Sequence, residues 1–430
     1  MKGLIKVVWI CSVSNPMLRK HLDLRLPWWH RFIRWALKRN NDDINVDTAQ
    51  WNTNAIREFE SIEEVDLHVI FVHLGMRKSI QRFKEGRISF YAVSQGDTSL
   101  IAYIHQHLNR GKLRYERTWK NIHHLVDEVE PDIIHIMGAE NPPYSWSILS
   151  LPNTIPIIVQ LQTLTHNPLV LNSYPDIHPE YELPVIKRAD YLGSPSDVFP
   201  GMVRQFIKKD PVFVNTPLML AESASIEINE KEFDFVYFSN NINKAIDLAI
   251  EAFAIAKQQC PGLTLDVIGG ASQNEIQELN SKLNNLGIQD SVIIEGKLPT
   301  HEDVIKQIKK ARIALLPLKS DLISGTIREA IWAGLPVITT ITQGTPELNS
   351  VRESVLLSDT GNHEALAHNM LLVYNDCKLY ERLQSNALIT IEELFGNDSK
   401  NAHFWVEAYQ ACISNFHNGT PIPSHILNNN

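Results

Sequence analysis

The sequence predicts two α/β domains, each built around a mainly parallel β-sheet. Apolar runs of strand length alternate with helical patterns along nearly the whole chain, which is typical of βαβ units. The 430 residues are enough for two domains of ordinary size. A stretch without clear periodicity, 217–230, separates the two halves and has the character of a linker.

The predicted strands follow one another in chain order and end in small or polar residues. Ligand crevices of α/β sheets form at such strand ends. In the first half we predict strands at 6–11, 66–73, 88–93, 132–137, 156–162, 191–194 and 212–215, and in the second half at 233–238, 264–269, 291–295, 311–316, 336–340 and 354–357.

The predicted domains are 1–215 and 216–395, followed by a helix at 396–417 and a tail at 418–430. The helix carries an aromatic and apolar face that includes Trp405 and Tyr409. The tail is polar with two prolines, so we expect it to be disordered.

Composition excludes several classes of protein. The formal net charge of −9 argues against nucleic acid as a partner. Cysteines at positions 11, 260, 377 and 412 show no CxxC spacing, which disfavours a zinc site or disulfide framework and favours a reducing cytoplasm. The first residues have the pattern of a strand, not of a signal peptide. No apolar run approaches the roughly 18 residues needed to span a bilayer.

The segment 321–347 contains the clearest candidate site. Asp321 and Glu329 are separated by eight positions across a predicted loop-to-helix transition. Between them, Ser324, Gly325 and Thr326 would leave backbone N–H groups free at a helix N-terminus, where an anion such as a pyrophosphate is favoured. The two carboxylates could then face one ligand, with Glu329 about one turn inside the helix.

This segment resembles the donor-site signature of family 4 glycosyltransferases, part of glycosyl transferases group 1. Glu329, Gly334-Leu-Pro336 and Pro346-Glu347 match the pattern, while Asp321 stands where the family has Glu. Further matches lie at 131–135, 244–253, 265–270, 292–296 and 311–317, and the resemblance is clearest over 233–359. It implies the GT-B architecture, in which two Rossmann-like domains face each other across a cleft and the C-terminal helix crosses back to the N-terminal domain.

The resemblance also implies roles for individual residues. Lys244 corresponds to the lysine that binds phosphate, while Ser239 occupies the position of a cooperating Arg. Glu329 would accept hydrogen bonds from ribose hydroxyls, and Asp321 would contact hydroxyls of the donor sugar. Ser324, with Gly325 and Thr326, would bind the β-phosphate. Ordinary helix capping is the alternative for these three residues, and a surface lysine is the alternative for Lys244. The alternatives are a turn or N-cap aspartate for Asp321 and a solvated helix glutamate for Glu329. Neither a protein nucleophile nor a metal is expected.

The N-terminal domain is expected to bind the acceptor. Family members often carry a His after an N-domain strand; here Gln162 occupies that place and His166 lies four residues on. His166 is therefore a candidate active-site residue. Glu140 and Asn141 follow the strand 132–137, where a crevice should form and meet the acceptor. A purely structural loop is the alternative.

The segment 19–39 is basic and aromatic. It contains seven Lys/Arg, two His and one Asp, and apolar residues follow helical spacing after Pro27. Basic amphipathic helices with Trp and Phe favour anionic bilayer surfaces, which would bring the chain to the inner face of the membrane. A helix packed on its own domain with a solvated basic face is the alternative.

These observations lead to one preferred function and two alternatives. The preferred function is a cytoplasmic-side retaining glycosyltransferase, which uses a nucleotide diphosphate sugar and a glycan or polyprenyl-linked acceptor in surface polysaccharide biosynthesis. One alternative is a GT-B sugar-nucleotide epimerase or hydrolase. The other is a non-enzymatic GT-B protein with a degenerate donor site, which the departures at Ser239 and Asp321 keep open.

Overall fold

The computed structural model describes most of the chain and divides it into two compact units. The described residues are 4–36, 47–95, 104, 115–162, 164–166, 179–194, 198–207, 211–216, 230–241, 245–271, 273–319, 324–395 and 398–427. The N-terminal unit comprises Met1–Leu171, Pro175–Met219 and Asn397–Asn430, and the C-terminal unit comprises Asn172–Tyr174 and Leu220–Gly396. The predicted linker at 217–230, next to the expected boundary between residues 215 and 216, lies outside the described residues except for residue 230.

In the part of the chain that the structure describes, the N-terminal unit holds an eight-stranded sheet in the order β3-β4-β2-β1-β5-β6-β7-β8. All neighbouring strands are parallel except β3, which is antiparallel to β4. The strands are β1 Ile5–Ser12, β2 Val65–His73, β3 Ile80–Glu85, β4 Ile88–Ser94, β5 Ile133–Met137, β6 Ile157–Gln160, β7 Tyr191–Ser194 and β8 Phe213–Asn215.

The helices of this unit surround the sheet, and the last one comes from the C-terminus of the chain. They are α1 Pro16–Arg19, α2 Trp28–Ala36, α3 Gln50–Phe59, α4 Glu116–Val129, α5 Pro142–Ser145, α6 Glu182–Arg188, α7 Val198–Arg204 and α14 Asp398–Asn418, with 3-10 turns at Trp146–Ser150 and Pro179–Tyr181.

Helix α14 completes the core of the N-terminal unit. The Trp9 ring lies 4.9 Å from that of Phe59 and 5.5 Å from that of Trp405, between ring centroids. The indole N–H of Trp9 donates to the Tyr409 hydroxyl at 2.9 Å, and this hydroxyl lies 2.8 Å from Nδ1 of His135. All five side chains are buried. The predicted return of the C-terminal helix to the N-terminal domain is therefore confirmed.

Within the described ranges, the C-terminal unit contains a six-stranded parallel sheet in the order β11-β10-β9-β12-β13-β14. Its strands are β9 Phe233–Asn241, β10 Leu265–Gly270, β11 Val292–Gly296, β12 Ala311–Leu316, β13 Val337–Thr340 and β14 Leu356–Ser358. Its helices are α8 Ile246–Gln259, α9 Gln273–Leu286, α10 His301–Ile308, α11 Gly325–Trp332, α12 His363–Asn375 and α13 Cys377–Phe395, with 3-10 turns at Gln289–Ser291 and Thr345–Asn349.

Both faces of this second sheet are covered. Successive side chains of a strand point to opposite faces. On β9, Phe235 and Tyr237 belong to one buried cluster, while Val236 and Phe238 belong to another. When a sheet is buried on both faces, the sequence of each strand is a nearly continuous apolar run. This explains why the sequence pattern predicted these strands. The predicted two-domain α/β fold is confirmed.

Two features differ from the sequence-based expectations. Strand β3 was not predicted, because only alternate residues of this edge strand are shielded. Residues 418–427 are ordered, contrary to the predicted disordered tail: Ile426 is 1% exposed, and its carbonyl accepts from the backbone N–H of Asn215 at 2.8 Å. The apolar side chain of Ile426 joins the core of the N-terminal unit, which fixes the tail despite its polar composition.

None of the described helices is both long enough and apolar enough to cross a membrane.

Candidate functional site

The chain reverses direction across the C-terminal sheet between β9 and β12. Strands β10 and β11 extend the sheet on one side of β9, and β12 then returns to its other side. In open α/β sheets, ligands bind at such a switch point, beyond the carboxyl ends of the strands. Ser239 lies on β9 near that end, and α11 with Glu329 follows β12.

The start of α11 offers backbone donors. Ser324 occupies the N-cap with extended backbone, but its side chain makes no capping hydrogen bond within the described residues. Its hydroxyl instead lies 2.8 Å from that of Thr326. The first intrahelical donor is the Arg328 N–H, which bonds to the Ser324 carbonyl at 3.3 Å. First-turn N–H groups have no acceptor within their own helix, so the amides of Gly325, Thr326 and Ile327 suit an anion.

Packing of α11 determines where Glu329 lies. Ile327, Ala330 and Ile331 are buried, and their spacing of three and four residues defines the inner face of the helix. The Glu329 side chain, on a different face, keeps 23% exposure. The helix ends before Gly334, whose φ of 80° is the left-handed conformation that glycine adopts readily.

The Glu329 carboxyl is perturbed by its surroundings. Burial raises its pKa to about 7, while the neighbouring Arg328 guanidinium acts in the opposite direction. Nε2 of His301 lies 3.6 Å from Glu329 Oε1. A carboxyl with a raised pKa at a ligand crevice is typical of functional sites. Burial disfavours the charged carboxylate, and such a buried group is kept where a ligand needs it.

His301 is not among the site residues that the sequence predicts. It is the first residue of α10, which begins with a capping box formed by Thr300 and Asp303. The Thr300-x-x-Asp303 pattern directly after β11 was a local signal for a helix start at the carboxyl edge of the sheet. The contact with Glu329 joins residues that are far apart in sequence, so no local spacing predicts it.

A second unpredicted group lies beyond β13. The Thr345 hydroxyl donates to the Thr340 carbonyl at 2.8 Å, and the Thr340 hydroxyl accepts from the Leu318 N–H at 2.8 Å. These contacts fix the loops that follow β12 and β13. In the same loop, the buried amide oxygen and nitrogen of Gln343 have no hydrogen-bond partner among the described residues. Unpaired buried polar atoms are costly, so they mark a place where a ligand or water would be accommodated.

Two predicted donor-site residues, Lys244 and Asp321, lie outside the described residues. The structure thus brings the predicted Ser324, Gly325, Thr326 and Glu329 together on α11, and it adds His301.

The N-terminal sheet has its own switch point between β1 and β5. Glu140 and Asn141 follow β5 at this point, and the Asn141 amide donates to Glu140 Oε1 at 2.8 Å. Gly138 adopts φ 105°, and a Cβ there would lie 3.0 Å from Glu140 Oε1 and 3.1 Å from Gln162 Oε1. The left-handed backbone at this position favours glycine, and the side chains of Glu140 and Gln162, which follow β5 and β6, both come close to it.

The Glu140 carboxyl also has a raised pKa. Burial raises its pKa to about 7, and the nearby carboxyl of Glu182 acts in the same direction, while hydrogen bonds from the backbone and from Asn141 oppose the shift. Glu140 Oε2 and Gln162 Nε2 are buried without a hydrogen-bond partner among the described residues. Together they form an acceptor and a donor that suit a hydroxyl-bearing ligand.

His166 is held by a buried carboxylate. Glu182 is fully buried and accepts from the backbone N–H groups of Thr165 and His166 at 2.9 and 2.7 Å. Nδ1 of His166 lies 2.6 Å from Glu182 Oε1, and the ring stacks on Phe206. This arrangement orients the imidazole and leaves Nε2 as the nitrogen that a ligand would use. By contrast, burial lowers the pKa of His135 to about 3, and its contact with Tyr409 makes it part of the core.

Across the described ranges, no cluster of three or more His, Cys, Asp or Glu side chains is arranged to hold a metal ion. The four cysteines are free thiols.

Sequence comparison identifies the C-terminal unit. Residues 220–389 match the family Glycosyl transferases group 1, so the chain contains a glycosyl transferases group 1 domain. This range includes every predicted donor-site residue. No curated protein matches the chain.

Comparison with solved structures identifies the fold as GT-B. Sucrose-phosphate synthase from Thermosynechococcus elongatus superimposes with a TM-score of 0.68 at 14% identity, covering 94% of this chain and 98% of that one. A trehalose-6-phosphate protein from E. coli, bound with UDP-2-fluoro glucose, gives 0.64 at 11% identity, with coverages of 94% and 99%. A glycosyltransferase from Rickettsia africae gives 0.60 at 13% identity, with coverages of 96% and 99%.

Proposed function

We propose that this protein is a retaining glycosyltransferase that moves a sugar from a nucleotide diphosphate sugar to a glycan or lipid-linked acceptor. The observation that carries the proposal is Glu329, a carboxyl with a raised pKa one turn inside a helix at the switch point of the group 1 domain. The E. coli neighbour bound with UDP-2-fluoro glucose supports a nucleotide sugar as donor.

In this proposal, the C-terminal unit binds the donor. Glu329 accepts hydrogen bonds from two ribose hydroxyls, since a carboxylate can take two O–H donors at once. The amides at the start of α11, with Ser324 and Thr326, bind the β-phosphate. Lys244 and Asp321 contribute a cation for the phosphate and an acceptor for the sugar hydroxyls.

The reaction itself needs no protein nucleophile. The acceptor hydroxyl attacks the anomeric carbon on the leaving-group face as the bond to the diphosphate breaks, and the departing phosphate takes the hydroxyl proton. Catalysis then depends on positioning and on electrostatic stabilisation of the diphosphate by α11 and Lys244. No metal or other cofactor is part of this proposal.

The acceptor binds to the N-terminal unit in this proposal. Glu140, Asn141 and His166 supply polar groups at the carboxyl edge of its sheet, and Gln162 adds a donor that pairs with no described residue. Surface polysaccharide biosynthesis at the inner face of the cytoplasmic membrane is the proposed setting.

A thermal-shift screen against UDP-, GDP-, ADP- and TDP-sugars tests the donor site. A ligand that binds only the folded state raises the melting temperature with its occupancy. We expect a shift with one nucleotide class that is lost in Glu329→Ala. Glu302→Ala is the matched control, because Glu302 lies on α10 with a 66% exposed side chain and should keep the shift. No shift with any donor, or the same shift in Glu329→Ala, would contradict the proposal.

A non-enzymatic role is the second candidate, and one observation favours it. Ser239 stands on β9 where the family usually has an Arg, so one cation of the phosphate site is replaced by a hydroxyl. This candidate predicts no donor-induced shift. If donor binds, NMR of the products separates transfer from the remaining alternative, because an epimerase or hydrolase would consume donor without an acceptor.

A further inference from the structure

Helix α2 has two faces with different surroundings. His30 is 5% exposed, and Trp29 and Ile33 are partly buried, so these three residues form the shielded face of the helix. Trp28, Phe32 and Trp35 are 75%, 59% and 70% exposed. Intramolecular packing therefore accounts only for the shielded face.

The three exposed aromatic residues form one stripe, called here the aromatic stripe. They are separated by four and three positions, which places them along one side of an α-helix. The rings of Phe32 and Trp35 lie 5.7 Å apart between centroids. Large apolar side chains gathered on one exposed face mark an interaction surface, whereas single exposed ones need no explanation.

The charge around the stripe selects the kind of partner. Arg19 pairs with Asp47 and Lys20 pairs with Glu85, so the first cations of the basic segment are engaged within the unit. The sequence from 24 to 41 contains five Lys/Arg and no Asp or Glu, and Arg31 on α2 is exposed beside the stripe. The whole chain carries a formal charge of −9, so an anionic surface would attract this region and repel most of the rest.

We propose that α2 lies in the interface of an anionic lipid bilayer. Trp28, Phe32 and Trp35 insert among the head groups and upper acyl chains, and Arg31 contacts lipid phosphates. A second copy of the chain fits less well. Three aromatic side chains expose roughly 500 Å² together, below the approximately 800 Å² that each partner buries in a standard interface.

This inference deepens the proposed function, because a lipid-linked acceptor would be presented at such a surface. Membrane binding and donor binding are measured separately, and either can fail alone. The stripe belongs to the N-terminal unit and the donor-site residues to the C-terminal unit. Replacing the residues of the aromatic stripe should therefore leave the thermal shift caused by donor unchanged.

Sedimentation of the full chain with lipid vesicles tests the proposal. We compare phosphatidylcholine vesicles with vesicles that also contain phosphatidylglycerol, at low and high salt. Wild type should sediment with the anionic vesicles, less so at high salt and little with phosphatidylcholine alone. The triple variant Trp28→Ser, Phe32→Ser, Trp35→Ser should bind at least tenfold more weakly, and it should fold because the replaced side chains are exposed.

The matched control removes exposed apolar side chains elsewhere. Val351 and Ile293 are 76% and 49% exposed on the C-terminal unit, so Val351→Ser with Ile293→Ser should bind vesicles like wild type. Equal sedimentation of the triple variant and wild type would overturn the proposal, as would no sedimentation of wild type. A dimer that depends on concentration and is lost in the triple variant, without vesicle binding, would assign the stripe to a second copy instead.

Discussion

Replacing Glu329 by glutamine should stabilise the C-terminal unit clearly more at pH 8 than near pH 5. Burial raises the pKa of this carboxyl from 4.5 to about 7, so the folded state holds the proton more tightly than the unfolded state. The free energy of unfolding therefore falls as pH rises from about 4.5 to about 7. Glutamine has nearly the same shape and no charge, so the variant escapes this loss.

The size of the effect follows from the difference between the two pKa values. At 1.36 kcal/mol for each pKa unit, the difference between 4.5 and about 7 corresponds to roughly 3 kcal/mol as an upper bound. The side chain keeps 23% exposure, and solvent screens part of the interaction. We expect Glu329→Gln to gain about 1–2 kcal/mol at pH 8 relative to pH 5.

Amide hydrogen exchange of α11, β12 and β13 measures this gain where it arises, once intrinsic rates at each pH are corrected. Glu302→Gln is the control, because it removes a carboxyl from a side chain that is 66% exposed and lies on α10, outside the segments whose exchange is followed. A Glu329→Gln variant that is equally changed at pH 5 and pH 8, or that is destabilised at pH 8, would refute the reasoning. Glu329→Gln should also weaken donor binding. A carboxylate that destabilises the free protein is expected where that group binds a ligand.

Three further predictions test the core, a helix end and the donor site. Tyr409→Phe removes the shared partner of the Trp9 N–H and His135 Nδ1, so the N-terminal unit should lose about 2–4 kcal/mol in urea melts followed by fluorescence; a loss below about 0.5 kcal/mol would show that the two groups find other partners. Glu130→Gly relieves a left-handed residue with φ 50° after α4, and the same melts should show a gain of about 0.5–1 kcal/mol, whereas a loss would contradict the strain argument. Gln343→Ala should weaken binding of the donor found in the screen up to about tenfold, measured by calorimetry, and should keep the stability of the protein. The reason is that the ligand would lose its contact with the Gln343 amide. Unchanged affinity would show that water, not the ligand, pairs with those amide atoms.

The fold was largely predictable because its signal is local. Strands such as β5 are buried along their whole length, so each residue reports burial on both faces. Strand β3 was not predicted, because it joins the sheet through a tight antiparallel turn at Gly86 and only alternate residues are shielded. The order of the tail was not predicted, because burial of one side chain, Ile426, fixes it despite the polar residues around it.

The candidate site was predictable only where its residues are close in sequence. Ser324 to Glu329 lie on one short helix, so spacing alone relates them. The contact between His301 and Glu329 and the pairing of His166 with Glu182 join residues from different elements. Such contacts depend on how elements pack and leave no periodic trace in the chain. The raised pKa of Glu329 likewise reflects its surroundings, not its type.

The hydrogen bond between Trp9 and Tyr409 joins residues 400 positions apart. During synthesis, β1 leaves the ribosome before the C-terminal unit, but α14, the helix that covers its Trp9, leaves after that unit. The C-terminal unit, by contrast, is contained within Asn172–Tyr174 and Leu220–Gly396, ahead of α14. Domains generally fold as units as they emerge. In this chain the order is reversed: the C-terminal unit can fold first, while the N-terminal unit exposes its aromatic core until α14 has been made.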